Sequence, residues 1–271
     1  MKTFIFTYDR FNTITTSQYL KDIPHIVLCH TEEQKQKFIQ GGRVHGQLIA
    51  SGQPKGLANN RNFALDMMEH GEWACFWVDD LIDVTFIKNY WDICEADSIG
   101  VNASNQPQIR QDFKEKCTPE MFYRIAQHTI KKAEQKGFAL CGFSLTDNPL
   151  FRDKHYSYWS LADGRCWLVK KTHLRFDTNV QLIDDTCFTA INLKAFGGVV
   201  NNNWLLPNCE RYKPGAYGTI EQRIDQKKAE CKYLVDTYPD YVCYGDKVGW
   251  PALSHVKIRQ KKVNKDQVSL F

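Results

Sequence analysis

No run of apolar residues in this 271-residue chain approaches the roughly 20 that a membrane-spanning helix requires, so no segment reads as an integral membrane span. There is no Cys-x-x-Cys pair: the ten cysteines are scattered singly from Cys29 to Cys243. That argues against a four-cysteine zinc site and against a disulfide scaffold, and leaves reduced thiols in a cytoplasmic protein as the expectation. The opening MKTFIFTYDR lacks a signal-peptide core, because Asp9 and Arg10 arrive too soon. Internal repeats, low-complexity tracts and linkers rich in Gly, Pro or Ser are also missing, which predicts one compact domain over residues 1–271. Strong charge of either sign is missing too, since 35 Lys and Arg against 31 Asp and Glu leave +4. A balance so mild does not by itself point to nucleic acid.

What is present is an ordinary globular composition, with 43% hydrophobic, 24% charged and 13% aromatic residues. The basic residues are unevenly placed. Lys257 to Lys265 reads KIRQKKVNK, and Arg152 to Arg175 holds six Lys or Arg against two Asp, with Tyr156, Tyr158, Trp159 and Trp167 among them. Basic residues interleaved with aromatics suit a surface that meets phosphates and stacks bases. Lys170, Lys171, Lys257, Arg259, Lys261 and Lys262 are the candidates for such a surface. A solvated tail and a half-buried strand would have the same composition.

Hydrophobic patterning predicts strands at Lys2–Thr7, His25–His30, Val44–Ala50 and Trp73–Val78. Between them fall a short helix around Tyr19 and Leu20, a helix opened by the capping box Thr31-Glu32-Glu33-Gln34, and one capped by Asn59 or Asn60 and running to Gly71. Thr118-Pro119 opens a clear amphipathic helix that ends at Gly137. Phe138–Leu145 and Arg165–Val169 read as strands. A helix begins near Asp184-Asp185, and another follows the capping box Thr219-Ile220-Glu221-Gln222. Strand and helix alternation of this kind predicts an α/β sheet with ligands outside the carboxyl ends of its strands.

Asp79 and Asp80 fall at such a place, directly after the most apolar strand. Two adjacent carboxylates there repel and resist desolvation. A divalent cation relieves the conflict, and Mg or Mn held by one or two carboxylates plus substrate phosphates is a usual arrangement. A solvent-exposed turn is the simpler alternative, and Asp83 could cap a helix around Phe86 and Ile87. Asp184 could likewise do no more than cap the helix it opens.

Four segments together, FTYDR (Phe6–Arg10), KGLANNRNFAL (Lys55–Leu65), WVDDLID (Trp77–Asp83) and LIDDTCF (Leu182–Phe188), resemble the GT-A fold nucleotide-sugar glycosyltransferases. The agreement in order and spacing spans about the first 90 residues and extends more loosely to residue 200. Within that fold, PGAYGTIEQRIDQ and TYPDYV are similar to the phage-encoded transferases associated with TET/JBP-type base oxygenases, which place sugars on modified DNA bases. The resemblance implies a GT-A (Rossmann-like) mixed sheet flanked by helices. Residues 1–100 would bind the nucleotide sugar and 101–271 the acceptor, with a basic C-terminal segment.

It further implies a UDP-sugar donor, with Tyr8 stacking on the base, Arg10 or Arg61 neutralising the diphosphate, and Asn62 and Asp79 completing the nucleotide site. Mn2+ or Mg2+ would be held by Asp80, with His255 as a plausible partner. Asp185, or else Asp184, would be the general base. DNA carrying hydroxymethyl- or hydroxycytosine would be the acceptor, since an unmodified pyrimidine has no hydroxyl to glycosylate. The sequence departs from the family's Asp-x-Asp: here it reads Asp79-Asp80-Leu81, so Asp80 or Asp83 must serve. A glycosyltransferase acting on surface polysaccharide is the alternative. A non-catalytic DNA-binding module fits poorly with Asp79-Asp80, and a nucleotidyltransferase would need glycine between Thr7 and Thr16, where there is none.

Overall fold

The computed structural model describes residues 1–87, 99–101, 107–109, 114–144, 146, 156–209, 220–245 and 256–259. The chain opens with β1 (Lys2–Phe6), α1 (Thr15–Tyr19), β2 (Ile26–Cys29), α2 (Glu32–Gly41), β3 (Gln47–Ala50), α3 (Leu57–Asp66) and β4 (Trp73–Val78). Next come β5 (Leu81–Ile87), β6 (Ile99–Val101), β7 (Pro107–Ile109), β8 (Lys114–Lys116), α4 (Pro119–Lys136), β9 (Leu140–Phe143), β10 (Tyr156–Ser157) and β11 (Cys166–Lys170). The last part holds α5 (Asp184–Phe196), β12 (Val200–Asn202), β13 (Leu205–Cys209), α6 (Ile220–Thr237), β14 (Val242–Tyr244) and β15 (Val256–Ile258).

Eight strands form one mixed sheet in the order β10-β12-β9-β11-β4-β1-β2-β3. The pairs β1–β2, β2–β3 and β1–β4 are parallel, so these four strands end at one edge. Strand β11 runs antiparallel to both β4 and β9, and therefore begins at the edge where β4 ends. Strands from both halves of the chain share this sheet, and helices cover it on both sides. Ile5, Cys75, Trp77, Cys141 and Leu168 pack with Phe122, Ala126 and Ala133 of α4. Phe4, Phe6, Ala74, Phe76, Trp167 and Val169 pack with Ala64 and Leu65 of α3 and Phe188 and Leu193 of α5. Burial on both faces is why β4 and the Phe4–Phe6 part of β1 read as unbroken apolar runs rather than as alternating ones. A third cluster joins α5 to α6, β14 and β15 through Cys187, Ala190, Cys231, Leu234, Val242 and Val256.

Local signals act as read in α2, whose N-cap Thr31 accepts from Gln34 N, and in α4, whose N-cap Thr118 accepts from Met121 N before the αL stop at Gly137. Two expectations are corrected. Helix α3 starts at Leu57 rather than after Asn59 or Asn60, with Gly56 at φ +140° ahead of it. The φ of +140° is one that L side chains rarely adopt, which favours glycine at the residue leading into the helix. Asp83 caps no helix: Leu81–Ile87 is a strand, and the Asp83 carboxylate accepts from Asn208 Nδ2 at 2.6 Å on the neighbouring β13. Among the described residues no helix is long and apolar enough to cross a membrane. Nine cysteines are described and all are free thiols, seven of them buried.

Replacing Trp77, fully buried between the sheet and Phe122, by alanine is expected to cost about 3–5 kcal/mol in urea denaturation. Ile82→Thr, at a position 57% exposed, is expected to change stability by less than about 0.5 kcal/mol.

Candidate active site

The carboxyl edge of the sheet gathers a cavity of about 180 Å3 whose wall includes Tyr8, Arg10, Lys55, Asp79, Asp80 and Arg223. Its geometry begins at Asp9, which follows β1 with φ 55° and is held there by Gln34 Nε2 at 3.1 Å. Aspartate tolerates this left-handed turn better than most residues. The turn leaves both Tyr8 and Arg10 on the cavity wall. The Tyr8 ring packs edge-on to His30 (5.5 Å) and under Lys55 Nζ (4.8 Å). His30 in turn is fixed by Asn60 Nδ2 (3.2 Å) and the Gln53 carbonyl (3.4 Å), and burial lowers its pKa, so it is a neutral support rather than a cation.

The acidic turn after β4 is clamped by α1. Thr16 donates its hydroxyl to Val78 O (2.7 Å) and accepts from Leu81 N (3.0 Å), while Thr16 N donates to Asp79 O (3.3 Å). Asp79, 7% exposed, accepts from Thr7 Oγ1 at 2.7 Å. Arg10 Nη1 then bridges Asp79 Oδ1 at 3.2 Å and Asp80 Oδ2 at 2.7 Å. Burial raises the Asp79 pKa to about 6, against the lowering effects of Arg10 and Thr7. The conflict between the buried Asp79 and its half-buried neighbour Asp80 is thus met here by a guanidinium. The two carboxylates remain hard oxygen donors whose chemistry fits a divalent ion accompanied by phosphate oxygens. Ion and Arg10 would compete for the same oxygens. Among the described residues no group of three or more His, Cys, Asp or Glu is arranged to hold a metal, and His255 lies outside them.

Arg61 and Asn62, expected at the diphosphate, are corrected by the structure. Arg61 is 1% exposed, ion-paired to Asp184, donates to Gly164 O at 3.2 Å and lies 4.3 Å over the Trp167 ring. Asn62 is spent on both backbone groups of Phe176, each at 2.9 Å. It is Asn60, one residue earlier on α3, that faces the cavity, with Lys55 and Gly56 ahead of the helix.

Asp184 and Asp185 open α5 and face different surroundings. Burial raises the Asp184 pKa, and its carboxylate belongs to Arg61. Asp185 has no ion pair among the described residues. Its Oδ1 accepts from Thr186 N at 2.7 Å, and burial, followed by the charges of Asp163 and Asp184, pushes its pKa up to about 7. Asp163 sits in the loop before β11, paired to Arg165 Nε at 2.6 Å, and Arg165 O accepts from Val78 N at 3.1 Å. That backbone bond fixes the Asp163 loop beside the acidic turn. Asp163, Asp79 and Asp80 all act on the Cys209 thiol, and burial is the main reason its pKa is raised.

Among the described residues the predicted basic surface does not assemble. Lys170 pairs in register with Trp73, at the start of β4, and Lys171 N donates to Glu72 O. Both lie at the sheet edge opposite Asp79, because β11 runs antiparallel to β4, and they are paired to Glu134 and Asp66. Arg259 donates Nε to Pro239 O (2.6 Å) and Val242 O (3.2 Å), which makes it a structural tie. Lys257 stands at the wall of a second cavity that also includes Asp185. Lys261 and Lys262 lie outside the described residues. Sequence reasoning missed His30, Lys55, Asn60, Asp163 and Arg223; His30 was findable, since it directly follows β2 at the ligand-bearing edge.

Arg61→Leu is expected to lose about 3–5 kcal/mol by leaving Asp184 buried and unpaired, and Arg61→Leu/Asp184→Leu to recover most of it, as read by chemical denaturation. Arg10→Gln is expected to tighten Mn2+ binding roughly tenfold in calorimetry, because two buried carboxylates lose their cation. Adding Asp80→Asn should cancel that gain.

No family model and no curated protein matches the chain. Among solved structures it is similar to the crystal structure of S. aureus TarS 1-349, with 13% identity and a TM-score of 0.39 over 87% of this chain and 66% of that one. The chain thus spans just under two thirds of that structure's length, in a superposition too loose to carry a functional argument.

Proposed function

We propose that this chain is a glycosyltransferase of GT-A type, using a UDP-sugar held in the first cavity and an acceptor hydroxyl activated by Asp185. The observation that carries the reading is the contrast among five carboxylates near one sheet edge. Asp79, Asp80, Asp163 and Asp184 are each paired to arginine, whereas Asp185 has no such partner and is poised near neutral pH. A carboxylate in that condition suits a general base. The donor cavity draws on residues 6–80 and Arg223, and the cavity beside Asp185 on residues 159–258.

In this reading Tyr8 takes the nucleobase, and Lys55 and Arg223 meet diphosphate oxygens, with Arg10 supplying further positive charge. Mg2+ or Mn2+ held by Asp79 and Asp80 would act as a Lewis acid on the diphosphate. The acceptor O–H proton passes to Asp185 as its oxygen bonds to the anomeric carbon. The bond from that carbon to the diphosphate breaks, and the electron pair leaves with UDP. The sequence resemblance extends the proposal to hydroxymethyl- or hydroxycytosine in DNA, with Lys257 near the acceptor. A glycan acceptor is the second reading, favoured by Lys170 and Lys171 standing at the far edge.

The test is mass spectrometry of acceptors after incubation with a panel of UDP-sugars, with Mn2+ or with chelator. Hydroxymethylcytosine DNA forms one arm and sugar and polyol phosphates the other. Asp185→Asn is expected to lower kcat by 100-fold or more. The wild type should gain activity as pH rises through about 7, since the base must lose its proton. A flat pH profile, or full activity in Asp185→Asn, would remove Asp185 from the role.

A further inference from the structure

We infer that the second cavity is a binding site for a phosphate-bearing acceptor, a phosphorylated sugar or polyol whose hydroxyl is presented to Asp185; this rests on the glycosyltransferase reading. The cavity, about 690 Å3, is built where four chain segments converge: the loop before β11, the start of α5, α6 and β15. Trp159 and Ser160 come from the loop, Asp185 and Thr186 from α5, Lys227 from α6 and Lys257 from β15.

Three features specify the ligand. The Trp159 indole is fixed in place, donating Nε1–H to Arg259 O at 2.6 Å and lying 5.9 Å from the Tyr241 ring at 32°. A held aromatic plane, in a wall that also includes Leu161, Leu182, Ile183, Val256 and Ile258, suits the apolar face of a sugar or polyol. Lys227 of α6 and Lys257 of β15 both contribute to the wall, so basic residues from two different elements border the cavity that Asp185 borders. Burial and neighbouring acids keep Asp185 partly protonated, which further tips the cavity toward anions. The positive charge is local. Lys170 and Lys171 lie at the opposite sheet edge and Arg259 is tied to backbone carbonyls, so the described residues form a pocket for one phosphate rather than a track for a duplex.

NMR titration of the full chain, with UDP present to fill the first cavity, tests this with ribose and ribose 5-phosphate as probes. Ribose 5-phosphate is expected to bind about tenfold more tightly than ribose. Lys227→Gln and Lys257→Gln should each remove most of that difference, and Lys227→Glu should abolish it, without changing UDP affinity measured by calorimetry. Equal binding of the two probes, or undiminished discrimination in all three variants, overturns the inference. So does a hydroxymethylcytosine oligonucleotide that binds far more tightly than ribose 5-phosphate through the same lysines, which would return the cavity to DNA. If UDP fails to bind while the lysine-dependent discrimination persists, the donor reading falls and the phosphate pocket stands.

Discussion

Arg61 is the contact on which the edge depends. Burying a guanidinium costs several kcal/mol unless its charge is matched and its donors are met. Here Asp184 supplies the charge, Gly164 O takes a donor, and Trp167, Phe176 and Phe6 surround the plane at 4.3, 5.5 and 5.7 Å, while Nε is left buried without a hydrogen-bond partner among the described residues. Those partners come from β1, β11, the loops flanking β11 and the start of α5, and Arg61 itself comes from α3. One side chain therefore fixes α3 against α5. Glu230 of α6 completes the arrangement by accepting from the backbone of Gln181, Leu182 and Ile183 at 3.0, 2.9 and 3.2 Å, which pins the segment leading into Asp184.

From this follows the division between the two acids at the start of α5. Successive helical residues point about 100° apart, so only one of an adjacent pair can face the Arg61 cage. Asp184 takes that place and becomes structural. Asp185 is carried to the cavity wall, close enough to Asp163 and Asp184 to feel their charge and without an arginine of its own. Its pKa is raised mainly by burial and then by the charges of Asp163 and Asp184, with Arg61 opposing the rise.

The same geometry explains what the sequence disclosed and what it hid. The strands were legible because burial on both faces of the sheet leaves β4 and Phe4–Phe6 of β1 unbroken in apolar residues. Asp79 and Asp80 were legible because an acid pair after such a strand needs a reason. Tyr8 and Arg10 were legible as the residues just beyond β1. In Asn60-Arg61-Asn62, however, three polar residues in succession leave one helix in three directions: toward His30 and Ser51, toward Asp184, and toward Phe176. Composition identifies the motif but not the direction in which each member points. Lys170 and Lys171 were misread because a strand's direction is invisible in its sequence, and direction alone decides which edge they occupy. Lys227 and Arg223 were passed over as ordinary charges on an amphipathic helix; their spacing of four places them on one face, and only the docking of α6 shows that this face borders the cavities.

Desolvating acids has a cost that the rest of the fold must offset. The Asp79 and Asp185 carboxyls have pKa values raised to about 6 and about 7 in the folded chain, above the ordinary aspartate value they regain on unfolding. Between pH about 4 and 7 the folded state therefore holds more protons than the unfolded one, and the stability these groups leave intact at low pH is lost as pH rises through their folded values. In the proposed reading, the window in which Asp185 would become a competent base is the window in which its charge is least favourable at the edge. In the aromatic cluster Phe176 stacks on Phe188 at 3.8 Å and on Trp167 at 5.5 Å, so the residues that seal Arg61 from water also hold α5 against the sheet. Weakening that cluster would admit water to both acids, lower the Asp185 pKa toward its ordinary value and relax the fold and the base together.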